Sequence, residues 1–234
     1  MTDIYSNLLE DAKKYWSNVY WPDPARQHTE EVLRARVLPE RLKAECHATL
    51  ADRVRICLET AVPHAYYFEV DNLHWPGKLV LDFGCGVGID ALLLAERGAR
   101  VTLVDIIPSN IEVASRTLDG YQHHCFPIGS PSDLDALGLF DIIFSHGVLH
   151  HIHPPLDVAM VDHLLSRLIP GGILLAMIYT NFYYPDPSTT QEGPYTRGFS
   201  PSQIVEFLGP RMEVLSYRYV LGRTCAWIIA RRKP

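Results

Sequence analysis

The sequence contains no apolar run approaching the roughly 18–20 residues needed to cross a bilayer. Its first residues, MTDIYSNLLEDAKK, are acidic and polar and hold no apolar core of the kind a secretion signal requires. No CxxC occurs. The cysteines Cys46, Cys57, Cys85, Cys125 and Cys225 are scattered, and an odd count in a chain of this length points to free thiols in a reducing compartment. There is no long basic run, and the formal net charge is -6, which argues against a large nucleic-acid footprint while leaving room for a local patch. Internal repeats and low-complexity tracts are also missing. Together these absences predict a soluble cytoplasmic protein without a membrane or nucleic-acid partner.

What is present is globular in character. Hydrophobic residues make up 47% and charged residues 21%, and 234 residues can bury a core as one large domain or one domain with a cap. Residues 1–75 read mostly helical. There TEEVLRARVLPERLKAECHATLADRVRICLETAV carries apolar residues three and four apart, and Pro39 divides it into at least two helices. The aromatic cluster Tyr15, Trp16, Tyr20 and Trp21 precedes them.

After Gly77 the pattern changes. Strands are expected at 78–83, 100–105, 124–128, 140–145 and 172–179, and helices at 89–98, 109–118 and 156–169, the last stopped by Pro170-Gly171-Gly172. SPSQIVEFLG, 200–209, opens with a capping box of Ser200, Pro201 and Gln203. Two final strands meet at Gly222-Arg223 and suit an antiparallel hairpin on the sheet's edge. Wholly apolar strands alternating with helices specify an α/β fold. The expected sheet is doubly wound and mostly parallel, seven-stranded, with an antiparallel C-terminal hairpin. The division predicted is an N-terminal helical cap over 1–75 and an α/β domain over 76–234.

The most specific segment is VLDFGCGVG, Val80 to Gly88, where a strand runs into three glycines and then a helix. Such glycines permit positive φ and a close ligand approach, at the strand ends where open α/β sheets bind ligands. Seventeen residues after Gly88 the second strand ends at Asp105, whose carboxylate can accept from both hydroxyls of a ribose. Loop and acid together indicate a nucleoside-containing cofactor. A dinucleotide fingerprint needs a small third residue for close helix packing, and Ile89 stands there, so a ligand without a pyrophosphate is favoured.

Four features in order, VLDFGCGVG, VTLVD, FDIIFSHGVLHH and LIPGG, resemble the class I S-adenosylmethionine-dependent methyltransferases over about 77–180. Within that class the chain is most similar to small-molecule enzymes with a GVLHH segment. The resemblance implies a Rossmann-like methyltransferase fold, S-adenosylmethionine as cofactor, S-adenosylhomocysteine as product and a small-molecule acceptor. It implies that Gly84, Cys85, Gly86 and Gly88 pack on the cofactor's amino acid and ribose. Asp105 would hold the ribose hydroxyls, and Ile106 would flank the adenine. Asp82 is expected to order the loop. The backbone near Ser145 and His146 would meet the cofactor's amino group. The loop Gly129-Ser130-Pro131-Ser132-Asp133 would meet the adenine edge. Relatives often carry an acid just after that glycine, and this chain has Ser130 followed by Pro131, which lacks an N–H, so Ser130 or Ser132 stands in. Ile107 likewise replaces a common hydroxyl. Two other readings are a nicotinamide-dependent oxidoreductase, disfavoured by Ile89, and a non-catalytic cofactor-binding protein.

SHGVLHHIH, Ser145 to His153, holds four histidines. They are read as solvated, capping or packed side chains, as a general base at His151 or secondarily His150, or as a metal site. A short helical turn over Val148 to His153, ended by Pro154-Pro155, would place His146, His150 and His153 at spacings of four and three. Some class members bind a divalent ion here with two glutamates and a histidine. Gly147 and His150 replace those glutamates, so no metal is expected. Imidazole suits proton transfer near neutrality, and some relatives use a histidine matching His151.

Two segments could hold the acceptor. One contains Tyr15, Trp16 and Tyr20. The other is the loop over 180–199, long enough for a lid, with Tyr179 at its start and Asn181, Tyr183, Tyr195 and Arg197 within it. An aromatic pocket with one arginine would suit a planar or anionic acceptor.

Overall fold

The computed structural model describes residues 10–16, 39–59, 68–182 and 195–234. Residues 10–16 are helical. The labelled elements then run α1 (Pro39–Glu59), α2 (Phe68–Asp71), β1 (Leu79–Phe83), α3 (Ile89–Glu96), β2 (Arg100–Asp105), α4 (Pro108–Thr117) and β3 (His123–Pro127). They continue as β4 (Phe140–His146), α5 (Pro154–Ser166), β5 (Leu168–Tyr179), α6 (Pro201–Leu208), β6 (Met212–Val220) and β7 (Cys225–Arg232).

The sheet order is β3-β2-β1-β4-β5-β7-β6. The first five strands pair in parallel, and β7 runs antiparallel between β5 and the edge strand β6. The chain winds outward from β1 in one direction and from β4 in the other. The crevice at the carboxyl ends of β1 and β4 is therefore the switch point, where such sheets bind ligands.

Two cores flank the sheet. On one face Val80, Val101, Leu103, Ile142 and Phe144 pack against apolar residues of α1, α3 and α4. On the other, Leu81, Phe83, Ile143 and Leu174 pack against α5 and α6. Strands buried on both faces explain why they read as unbroken apolar runs. Leu42, Cys46 and Leu50 of α1 belong to the first core, so this helix shares its packing with the sheet.

Several boundaries move. The helix expected to run to 169 stops at Ser166, and Leu168 already pairs with Phe140. The next pair is Ile142 with Ile173, five steps along β5 against two along β4, so Pro170-Gly171-Gly172 forms a bulge within the strand. A Cβ on Gly172 would lie 2.9 Å from the Ile169 carbonyl oxygen, so the bulge requires glycine there. Pro154 and Pro155 open α5 instead of closing the turn before it, because proline costs nothing at the first helical position. Pro39 likewise begins α1. The capping box at Ser200 and Gln203 forms as read.

Leu42→Ala should lower the unfolding free energy by about 2–5 kcal/mol in urea, the cost of a cavity in a shared core. A change within about 0.5 kcal/mol, as for a surface site, would contradict the placement of α1.

Candidate active site

The glycine loop is shaped by what surrounds it. Gly84, Gly86 and Gly88 have φ of 77°, 53° and 86°. A Cβ on Gly84 would lie 2.3 Å from Val148 Cγ2, and one on Gly88 would lie 3.1 Å from Ala114. Gly86 differs, because a Cβ there would meet nothing within 4 Å. Two glycines thus allow close packing, and the third exposes its backbone to open space.

Gly84 and Cys85 donate their N–H groups to the Val104 carbonyl at 2.9 and 3.1 Å. The Gly86 N–H donates to Asp105 Oδ2 at 2.9 Å, while Asp105 Oδ1 accepts from the Ile107 N–H at 2.8 Å. One carboxylate at the end of β2 therefore ties the loop to the start of α4. Asp105 thus orders the loop from the end of β2. Asp82 is buried, its backbone pairs with β2 and β4, and its Oδ2 has no partner among the described residues. Burial, with the charges of Asp90 and Asp105 adding, holds its carboxyl well above the usual range. Burial likewise pushes the Cys85 thiol up, which keeps it protonated.

On β4, Ser145 is fully buried and its Oγ lacks a partner. His146 Nδ1 lies 2.7 Å from Asp90 Oδ2, and its ring packs 5.5 Å from that of Trp227. Arg53 on α1 donates to both Asp90 oxygens, at 3.2 and 3.1 Å. A chain from Arg53 through Asp90 to His146 joins α1 to the switch point. Neither Arg53 nor Asp90 carries a local sequence signal, since the link spans three separate elements.

The histidines divide by hydrogen bonding. Only Leu149–His151 is helical and His146 belongs to β4, so no helical face presents His146, His150 and His153 together. Among the described residues no group of three or more His, Cys, Asp or Glu could hold a metal ion. His150 is 1% exposed, and its Nδ1 accepts the Tyr179 N–H at 3.1 Å. The proton of the neutral ring is then on Nε2, which is buried without a partner. His151 is the reverse. Its Nδ1 lies 3.0 Å from the Tyr195 carbonyl and so carries the proton, leaving a lone pair on Nε2. Burial pushes His150 well down and His151 down to about 4, with the Tyr195 bond opposing the shift in His151. Both rings are neutral at physiological pH.

Aromatic rings surround this pair. Tyr179 lies 4.0 Å from His150 and 5.9 Å, edge-on, from His151. Trp16, from the helical segment 10–16, packs edge-on at 4.9 Å against His151, with Tyr15 beside it. The Tyr195 ring packs on His153, and Asn181 donates its backbone N–H to the Phe199 carbonyl at 3.3 Å. Arg197 pairs with Asp157 at 2.9 Å and lies over Phe199 and Phe207. Tyr20 and Tyr183 lie outside the described residues.

At the loop after β3, Ser130 caps the helical turn over Pro131–Ala136, and Ile106 is half-buried on the second core. Asp133 accepts the N–H groups of Gly129 and Ser130 at 2.6 and 2.8 Å, and these bonds hold its carboxyl below the usual range. In place of an acid directly after Gly129, the loop has one four residues later, bonded to the loop's own amides. The capping-box spacing Ser130 to Asp133 was the signal that could have found it.

A family model for a methyltransferase domain matches residues 74–211, more than half the chain. The protein belongs to the class I S-adenosylmethionine-dependent methyltransferase family. Over 105 residues it is 36% identical to a ubiquinone biosynthesis O-methyltransferase of Psychrobacter arcticus, covering 42% of this chain and 39% of that one. Over 148 residues it is 38% identical to a protein of the same name from Methylocella silvestris, covering 58% and 54%. A tRNA U34 carboxymethyltransferase of a Geobacter species is 38% identical over 103 residues, covering 42% and 31%. The chain thus spans only between 31% and 54% of the length of these relatives.

Among solved structures, the 1,6-didemethyltoxoflavin-N1-methyltransferase of Burkholderia thailandensis aligns with a TM-score of 0.58 at 22% identity, covering 92% of this chain and 94% of that one. A magnesium protoporphyrin IX methyltransferase from Synechocystis aligns with a TM-score of 0.57 at 23% identity, covering 77% and 85%. These likenesses show a shared fold.

Gly86→Ala should weaken cofactor binding and cost only about 1–2 kcal/mol, the strain of a side chain at positive φ, because its Cβ enters open space. Gly84→Ala carries the same strain and should cost a further ~1–3 kcal/mol through overpacking against Val148. Calorimetric binding and urea unfolding separate the two; equal effects on stability would contradict the division. Stability should also fall with acid. The folded state holds His151 at about 4 against an ordinary 6.5, so the unfolded chain binds more protons between those values. Roughly 3 kcal/mol should be lost as pH drops through that window, and less in His151→Gln.

Proposed function

We propose that the protein transfers the methyl group of S-adenosylmethionine to an oxygen or nitrogen of a small-molecule acceptor, releasing S-adenosylhomocysteine. The observation that carries this reading is His151. Its tautomer is fixed with the Nε2 lone pair free, on a turn whose Val148 packs directly against the cofactor loop at Gly84.

The residues present suit the cofactor. The Gly86 backbone faces open space, and Asp82 Oδ2 and Ser145 Oγ are buried polar atoms without protein partners at the ends of β1 and β4. Gly84, Cys85, Gly86 and Gly88 would cradle the amino acid and ribose. Asp105 would take the ribose hydroxyls, and Ile106 with Ser130, Pro131 and Asp133 would border the adenine. Ser145, His146 and the negative charge around Asp82 would face the ammonium group. When bound, the cofactor supplies an electrophilic methyl on a sulfonium centre.

The chain's own residues do the rest. Trp16, Tyr179 and Tyr15 form apolar walls beside His151 that exclude water and orient a planar acceptor. Holding a nucleophile about 3–3.5 Å from the methyl contributes on the order of 7–11 kcal/mol. His151 Nε2 accepts the acceptor's proton, while the Tyr195 carbonyl steadies the imidazolium through Nδ1–H. Depressed basicity keeps the lone pair available at neutral pH and favours acceptors with an acidic O–H or N–H. His150 supports this base by packing beside it and fastening the turn to β5. The helical segment 10–16, with Tyr179 and Tyr195 at the described ends of the 180–199 loop, lines the acceptor side. No helix among the described residues is long and apolar enough to cross a membrane, and the net charge of -6 fits a small acceptor better than RNA.

His151→Ala should reduce kcat by about 10²–10⁴-fold with little change in cofactor affinity. In the wild type the acid limb of kcat/KM should lie near pH 4, the value to which burial brings His151, and not near 6.5. Full activity in His151→Ala would exclude the base role. An acceptor panel without any turnover would favour a non-catalytic binding protein.

A further inference from the structure

We propose that Arg223 anchors a carboxylate on the acceptor, so that preferred substrates are planar rings bearing that anion. This rests on the methyl-transfer reading above.

Arg223 lies in the turn Leu221–Arg223 between β6 and β7. Cys225 pairs with Tyr179, and Thr180 donates its N–H to the Thr224 carbonyl at 3.0 Å and its hydroxyl to the Arg223 carbonyl. The turn is therefore fastened to the carboxyl end of β5. That is the strand end where Tyr179 packs on His150 and edges on His151.

The backbone there is costly. Leu221, Gly222 and Arg223 have φ of 50°, 62° and 74°, and among the described residues Leu221 and Arg223 are the only non-glycines with positive φ. Glycine would satisfy the turn more easily, yet the chain places an arginine at its end.

The side chain is also held in place. Its guanidinium lies 5.1 Å over the Phe182 ring and 5.9 Å over that of Tyr219, and those rings meet edge-on at 5.8 Å. No carboxylate among the described residues pairs with it. Arg197, the cation expected to meet an anionic acceptor, is instead paired with Asp157. Phe182 is 62% exposed beside this cation, which has no carboxylate partner among the described residues. An open aromatic face next to a fixed guanidinium fork matches a planar carboxylate, which it can bind bidentately.

Benzoate and neutral benzamide, titrated into protein saturated with S-adenosylhomocysteine and followed by ligand-observed NMR, test this directly. Wild-type protein should bind benzoate at least five-fold more tightly than benzamide. Arg223→Gln should make the two equal, and Arg223→Lys should restore part of the preference. Melting and S-adenosylhomocysteine titrations of each variant confirm that the fold and the cofactor site are intact. Absent or unselective benzoate binding in the wild type, or a preference that survives Arg223→Gln, would overturn the inference. Failure of S-adenosylhomocysteine to bind would instead overturn the reading on which it rests.

Discussion

Where β1 meets β4 there is no room for a side chain at residue 84. Val148 fills the space a Cβ would need, and the glycine loop therefore lies directly on the turn that carries His150 and His151. On the loop's other side, Gly88 lies against α4, where a Cβ would come 3.1 Å from Ala114, and Asp105 locks the Gly86 amide to β2. Cofactor cradle and candidate base are thus one packed unit. Neither can shift without the other, which is what in-line transfer between two bound molecules demands.

Charge organises the same crevice. Asp82, Asp90 and Asp105 lie close enough to influence one another at the loop, and Arg53 donates to Asp90. An excess of negative potential suits a ligand carrying an ammonium and a sulfonium. The protein compensates locally by keeping Asp82 protonation-prone and by binding His146 to Asp90. Burial keeps His150 and His151 beyond it neutral at physiological pH.

Much of this was legible in the sequence because it is local. Strand β2 falls at 100–105 as read, since an apolar run bounded by Gly98 and an acid leaves little choice. The capping box at Ser200 and the hairpin turn at Gly222 follow from residue chemistry over a few positions. What escaped depends on partners distant in sequence. The end of α5 is set by pairing of Leu168 with Phe140, which outweighs the apolar periodicity continuing through Leu168 and Ile169. Pro154 reads as a stop from one side and as a start from the other, and only the packing of α5 decides. Arg197, read as a contact for an anionic acceptor, is paired with Asp157, forty residues away, which no local spacing indicates. The opposite tautomers of His150 and His151 come from Tyr179 and Tyr195, which no spacing within the histidine run could reveal.

Calorimetric titration of the purified protein with S-adenosylmethionine and S-adenosylhomocysteine tests the central claim most directly. Saturable one-to-one binding of both is expected, abolished or strongly weakened when Asp105 is replaced by alanine. No heat and no melting shift with either compound would contradict the account.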